Sequence, residues 1–493
     1  MVGYVPKMKT ICTLLLLLIT LPVKSQEPDS LSMANLAEAI DKLQSGELLQ
    51  QGHLGFALSV AETGELLLSQ NAGKSFPPAS TLKLVTTATA LEVLGENFTF
   101  PTYLEYDGTL TDGVLAGNLY IYGTGDPTLG SPRFKEKTDS ATVFHNWLAA
   151  LQNAGIHRIE GRILADNSYF DDEHVESSWS WGDVGHYYGT GVSGINWNEN
   201  ACHLFFKAGP RPGTPATLVR SQPVQPEIRY DSRVMTGLPG SGNKTHIRPD
   251  LLSRSLIIEG TVPRVRGEYP IRAAIFNPPL LVAQLFTEFL NRNSVPVSQE
   301  ASTHLRVESP ANRKRIHTYH SPALAEICKQ INWWSINLYA EAVYKTLGKK
   351  LGNQTSFRET GPAIISHWAL RGINVKGMHI KDGSGLAAGS SLTPQNLVEV
   401  LNAATRQNTF QVFLSTLPIA GEAGTVRNRR FGNKGNVRIK SGSIEGTRAY
   451  AGYVMTRSRT LLSFVINAHR YPPEAGTEVA HELARIVNLI SEL

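Results

Sequence analysis

The chain has 493 residues, with 47 Lys+Arg against 42 Asp+Glu for a formal net charge of +5 and 41% hydrophobic residues. That much apolar surface excludes a disordered or low-complexity chain, because burial can offset the entropy of ordering. The charge is too small and too dispersed for a nucleic-acid binder, and three cysteines cannot form a disulfide scaffold.

Lys7 and Lys9 precede the apolar run Ile11–Leu21, followed by polar residues to Ser30. This order predicts a secretory signal peptide over residues 1–25 and hence export to the periplasm. The run is too short for a spanning helix, which needs ~20 residues, and no later segment is long enough. After signal removal no integral membrane segment is expected. Cys12 lies inside the apolar run without a small residue before it, which argues against lipid attachment. Cys202 and Cys328 would remain, and the sequence leaves open whether they pair.

A helix is predicted over Leu31–Leu43, with Leu36, Ile40 and Leu43 on one face. Leu54–Val60 and Glu65–Ser69 read as strands around the turn Glu62-Thr63-Gly64, and a helix follows from Ser80 to Leu94, stopped by Gly95. From Phe98 to Arg313 short apolar runs alternate with Gly, Pro and Asp turns, the pattern of a β-rich region. Helices return over Leu324–Leu347, Gly361–Leu370 and Pro394–Thr405. The strands Arg448–Val454 and Thr460–Ile466 and a helix over Thr477–Leu493 close the chain. The expected organisation is α/β at both ends, as residues 26–98 and 314–493, bracketing a β-rich insertion over 99–313.

Ser80-Thr81-Leu82-Lys83 opens the second helix. A three-residue offset places the hydroxyl and the amine on one face. A serine needs a base to act as a nucleophile, and a desolvated lysine can supply one. The bland alternative is an N-capping serine. A second copy of the spacing, Ser241 to Lys244, lies in a Pro/Gly-rich stretch and reads as chance. Ser335-Ile336-Asn337 places a hydroxyl and an amide beside a helix start. Lys440-Ser441-Gly442 follows the strand-like Val437–Ile439, where a cation, a hydroxyl and a side-chain-free position suit an anionic substrate lying along the strand. Asp382-Gly383-Ser384-Gly385-Leu386 reads as a structural turn near the cleft, and Leu417–Gly421 with Gly424, Thr425 and Arg427 as a cleft-wall loop. Gly123-Thr124-Gly125 lacks the third glycine of a dinucleotide loop. His317 and His320 have no metal-binding pattern around them, and neither a metal nor a cofactor is expected.

Each pattern is weak alone, but the order Ser-x-x-Lys, Ser-x-Asn, Lys-Ser-Gly before a closing hairpin and helix is the penicillin-interactive serine signature. With Gly125-Asp126-Pro127-Thr128-Leu129, Ala340-Glu341 and Ala451–Val454, the sequence resembles the D-alanyl-D-alanine carboxypeptidase/endopeptidases of the S13 peptidase family, the class C low-molecular-mass penicillin-binding proteins. The stretch between Lys83 and Ser335 is far longer than in β-lactamases. Ile336 and Ser441 stand where Asp and Thr are usual in the family.

The resemblance implies a β-lactamase/transpeptidase-like α/β domain, an antiparallel sheet flanked by helices, interrupted by a large β-rich insertion. It implies Ser80 as nucleophile, Lys83 as base and Ser335 as proton relay. Asn337, Lys440, Ser441, Gly442 and Ser443 would bind substrate, with the amides of Ser80 and Ser443 as oxyanion hole, and Asp166 resembles an insertion position near the substrate. The implied partners are peptidoglycan peptides and, as covalent inhibitors, β-lactam antibiotics. A β-lactamase or esterase with the same motifs, or a catalytically silent peptidoglycan-binding protein, are the competing readings.

Overall fold

The computed structural model describes residues 30–493 except 251, 254, 305–311, 430 and 433–434. The expected signal segment, with Cys12, lies outside the described residues. Among the described residues no helix is long and apolar enough to cross a membrane.

The two ends of the chain build one antiparallel sheet. Its order is Val437–Ile444, Thr447–Met455, Leu461–His469, His53–Val60 and Leu66–Gln70. Side chains alternate across a strand, so each strand feeds two cores. Leu54, Phe56, Leu58, Phe464 and Ile466 face a core closed by the first helix, Ser30–Ser45, and the last, Gly476–Ile490. Ala57, Ala451, Tyr453 and Val465 face the opposite core, which holds the helices Leu82–Leu94, Leu324–Trp334, Asn337–Gly352 and Pro394–Thr405. Covered on both faces, His53–Val60 is buried from Leu54 to Ser59 rather than at alternate positions.

The inserted region has a separate core. Its main sheet runs Ser302–His304, Ile163–Asp166, Leu119–Gly123, Pro101–Tyr106 and Lys314–His320. The helices Ser140–Asn153 and Pro278–Arg292 pack there through Trp147, Leu151, Phe286 and Leu290. Three smaller sheets complete the region. Lys314–His320 pairs with Pro101–Tyr106, so the chain leaves the inserted sheet after His320 rather than at 313. Cys202 and Cys328 are both free and sit in the two different cores.

Residues 169–200 of the insertion dock onto the Asn337–Gly352 helix. Phe170 and Val192 enter the terminal core beside that helix. Asp171 pairs with the buried Lys345 at 2.6 Å, and the Tyr339 hydroxyl donates to Glu199 at 3.2 Å. Glu199 also takes Arg133 and Arg272, which satisfies a carboxylate that is only 5% exposed. The helix therefore carries Asn337 at its start and fixes the insertion along its length.

The Leu324–Leu347 segment departs from expectation. It forms two helices, Leu324–Trp334 and Asn337–Gly352, broken where Ser335 adopts φ 57°. Neither Gly nor Pro marks the break. It coincides with close approach of the neighbouring loop, since a Cβ added to Gly424 would lie 2.2 Å from the Trp333 carbonyl oxygen.

Candidate active site

Ser80 lies on a single 3-10 turn, Ala79–Thr81, that leads into the Leu82–Leu94 helix. Ala79 is held at φ 46°, and a Cβ on Gly385 would come within 1.9 Å of the Ala79 carbonyl oxygen. Only a glycine lets the 382–386 turn close against the Ser80 turn. The helix is buried on every side from Leu82 to Leu91, so Lys83 is buried with it.

Lys83 Nζ contacts Ser80 Oγ at 2.9 Å, Asn337 Oδ1 at 2.7 Å and the Ser384 carbonyl oxygen at 2.7 Å. The Asn337 amide has its orientation fixed, because Nδ2 donates to the Tyr188 carbonyl at 2.7 Å and leaves Oδ1 toward the lysine. Two of the three neighbours can therefore only accept. A neutral amine has two N–H donors and one lone pair. With both donors taken by carbonyl oxygens, the lone pair faces the Ser80 hydroxyl. Burial pulls the Lys83 pKa from 10.5 to about 7, with Glu341 and Asp382 opposing the shift. Near neutral pH the amine is thus divided between its base and acid forms, the condition under which a general base works best.

Lys440 faces the group from the strand Val437–Ile444, the edge of the terminal sheet. Its Nζ donates to Ser335 Oγ at 3.0 Å and to the Ser441 carbonyl at 2.7 Å. Burial, then the charge of Lys83, push its pKa well below the ordinary value. The Ser441 hydroxyl pairs with Thr425 Oγ1 at 2.8 Å. Gly442 runs beside the nucleophile turn, where an added Cβ would sit 3.2 Å from the Ser80 backbone nitrogen. Ser443 is exposed and its hydroxyl accepts from Arg448.

The fold thus gathers Ser80, Lys83, Ser335, Asn337, Lys440, Ser441 and Gly442 about one cleft, with Ser443 next along the strand. Asp166 stands apart from them. It is buried in the inserted sheet, where Arg313 Nη1 meets its Oδ2 at 2.7 Å, and none of its hydrogen-bond partners belongs to the Ser80 group. The second Ser-x-x-Lys copy has no helix, and its Lys244 is exposed. No cluster of His, Cys, Asp or Glu among the described residues could hold a metal ion.

Sequence reasoning missed several contributors. Ser384 acts through its carbonyl, so its side chain carries no signal. Tyr188 likewise supplies only backbone. Thr425 belonged to a loop read as a cleft wall, but its partner was not foreseeable. Glu341 and Asp382 carried a signal, namely acids inside segments that are otherwise apolar or tightly turned.

Comparison with known proteins agrees with this geometry. Residues 36–488 match the family model described as the D-Ala-D-Ala carboxypeptidase 3 (S13) family. A D-alanyl-D-alanine carboxypeptidase of Actinomadura sp. is 26% identical over 418 residues, covering 82% of this chain and 75% of the relative. The penicillin binding protein 4 structure from Haemophilus influenzae superposes with a TM-score of 0.78 at 20% identity, covering 94% of this chain and 99% of that one. A predatory peptidoglycan endopeptidase of Bdellovibrio bacteriovorus shares the fold more distantly, with a TM-score of 0.50 at 16% identity over 89% of this chain and 93% of its own. With the family model spanning nearly the whole described chain, and the serine, lysine and strand motifs meeting in one cleft, this chain belongs to the D-Ala-D-Ala carboxypeptidase 3 (S13) family.

Proposed function

We propose that this protein is an exported, penicillin-binding serine peptidase that cleaves D-alanyl-D-alanine ends and cross-links of peptidoglycan peptides through an acyl-enzyme on Ser80. The observation that carries the reading is the Lys83 amine 2.9 Å from Ser80 Oγ, with both of its N–H donors directed to fixed carbonyl oxygens.

In the proposed sequence Ser80 Oγ attacks the carbonyl carbon of the scissile peptide bond while Lys83 Nζ takes the hydroxyl proton. The negative oxygen that forms is met by the backbone amides of Ser80 and Ser443, where each such donor is worth ~3 kcal/mol. The C–N bond then breaks, and Ser335 relays the proton held by Lys83 to the departing amine, which leaves the lysine neutral again. Water hydrolyses the ester and returns the hydroxyl to Ser80. Lys440 and the Ser441 hydroxyl take the terminal carboxylate. Among the described residues the hydrogen-bond partners of Lys440 are neutral oxygen atoms, so an arriving carboxylate would bring it a full negative charge and favour the cationic amine. Asn337 serves mainly to orient Lys83, and its remaining N–H is left for the substrate amide. A periplasmic location follows from the signal-like first 25 residues and from peptidoglycan as substrate.

The test is intact-protein mass spectrometry after incubation with benzylpenicillin, on wild type and Ser80→Ala, followed over time. A lasting adduct on wild type alone is the expected result. An adduct that vanishes quickly while penicillin is consumed points to a β-lactamase instead. No adduct and no hydrolysis leaves a silent binding protein.

A further inference from the structure

Two buried carboxyl groups lie behind Lys83 that the proposed reaction does not use. Glu341 and Asp382 are both fully buried. Their surroundings differ sharply. Asp382 accepts from five donors, namely Gly385 N at 2.9 Å, Ala387 N at 2.7 Å, Trp179 Nε1 at 3.0 Å, Ser384 Oγ at 3.3 Å and Ser390 Oγ at 3.4 Å. Glu341 Oε2 accepts from Gly383 N at 2.7 Å, while Oε1 is buried with no hydrogen-bond partner.

Donors directed at a carboxylate favour its charged form, and a buried carboxyl with few donors retains its proton. Burial, then the neighbouring Asp382, raise the Glu341 pKa to about 8, while the Ser384 hydroxyl, the Gly383 amide and Lys83 oppose the shift. Asp382 is also raised by burial, but its two backbone amides, the Trp179 indole and Lys83 all oppose that shift. Asp382 therefore has the larger set of donors for a negative charge, two backbone amides and an indole against one backbone amide for Glu341.

Glu341 is also placed to hold the lysine mechanically. It lies four residues after Asn337 on the same helix, one turn further along. The amide it accepts from, Gly383 N, precedes Ser384, whose carbonyl takes one Lys83 N–H. A Cβ on Gly383 would lie 2.5 Å from the Ala340 carbonyl oxygen, so the loop is pressed against the helix at this point. The titratable groups facing Lys83 are Glu341 from this helix, Asp382 from the loop and Lys440 from the strand, and Glu341 itself also faces Tyr344 and Lys345 of its own helix.

We infer that Glu341 is a positioning residue that stays protonated, fixing the Gly383–Ser384 loop on the catalytic lysine and leaving Asp382 as that amine's single buried counter-charge. The inference rests on the reading of Lys83 as the base that activates Ser80. It also gives the inserted region a part in the chemistry, since Trp179 supplies one of the donors that keep Asp382 charged.

The experiment is the pH dependence of acylation by benzylpenicillin in full-length wild type, Glu341→Gln and Asp382→Asn, with infrared difference spectra of the first two. Acylation needs neutral Lys83, so it rises with pH through the lysine pKa. Glu341→Gln keeps the charge and an acceptor for Gly383 N, so its acid limb stays at the wild-type pH. Asp382→Asn removes the negative neighbour, destabilises the cationic lysine and moves the limb about one unit or more to lower pH. The reverse pattern, a limb shifted in Glu341→Gln and unmoved in Asp382→Asn, overturns the inference.

If Asp382→Asn does not fold, the infrared measurement decides. A protonated-carboxyl band at neutral pH that shifts in heavy water and is absent from Glu341→Gln supports it, and identical spectra overturn it. A Lys83→Ala variant that acylates at the wild-type rate would instead remove the underlying reading of the base, whatever the infrared band shows.

Discussion

The two walls of the cleft each present a buried lysine, and the lysines have opposite surroundings. On the helical wall Lys83 meets two carbonyl oxygens, the nucleophile and the field of two buried acids. On the strand wall Lys440 meets a hydroxyl and a carbonyl, and the charge of Lys83 adds to burial in lowering its pKa. Burial lowers the pKa of both. At Lys83 burial brings the pKa down to about 7 with a buried carboxylate nearby to oppose the fall, which suits a group that must gain and lose a proton. At Lys440 the hydrogen-bond partners among the described residues carry no negative charge to offset burial, which suits a receptor for an anion. Residue type and burial are the same on the two walls, and the neighbours assign the roles.

The largest expected effect tests the helical wall. Lys83→Ala should cut acylation by benzylpenicillin by ~10²–10⁴ or more while leaving the thermal transition cooperative, as loss of a general base does. Stopped-flow acylation with a calorimetric melt checks both halves, and a wild-type rate would erase the distinction between the walls. Lys440→Ala should weaken carboxylate-bearing substrates by ~10–100-fold, the size of a lost charge-assisted hydrogen bond. An ester lacking the carboxylate should lose much less, and equal losses on both substrates would mean that the strand lysine shares the proton transfer.

In pH, wild-type acylation should climb along an acid limb centred near 7, because the base form of Lys83 accumulates as pH rises through its pKa. A limb centred above 9 would show an ordinary lysine and contradict its desolvation. The smallest effect belongs to Thr425→Val. Losing the hydroxyl that pairs with Ser441 should cost ~0.5–1.5 kcal/mol, a few-fold rise in KM confined to carboxylate substrates. A matching loss on the ester would place Thr425 on the nucleophile's side of the cleft.

Much of the frame was legible because it depends on local periodicity. Leu36, Ile40 and Leu43 face one core at helical spacing, as expected, and the closing hairpin and helix lie where their patterns predicted. Other features were not legible. The break at Ser335 carries no helix-stopping residue and arises where the Gly424 loop meets Trp333. The helices Ser140–Asn153 and Pro278–Arg292 were absorbed into a region read as β-rich, although Asp139 and Asn277 cap them. Asp382 was read as part of a structural turn, yet it lies close enough to Lys83 for their charges to act on each other. Asp166 has its carboxylate engaged by Arg313, a partner far along the chain that no spacing rule connects to it.

The sequence by itself determined the pairing of Ser80 with Lys83, because three residues on one helical turn bring two side chains together whatever surrounds them. Tertiary structure alone decided the different surroundings of Lys83 and Lys440, on which their proposed roles as base and anion receptor rest. Those roles depend on Asn337, Glu341, Asp382 and the backbone of Tyr188 and Ser384, groups brought in from three other segments of the chain. A lysine's proton affinity is set by the charges and dipoles within a few ångströms of it, and in a buried cleft those come mostly from residues remote in sequence.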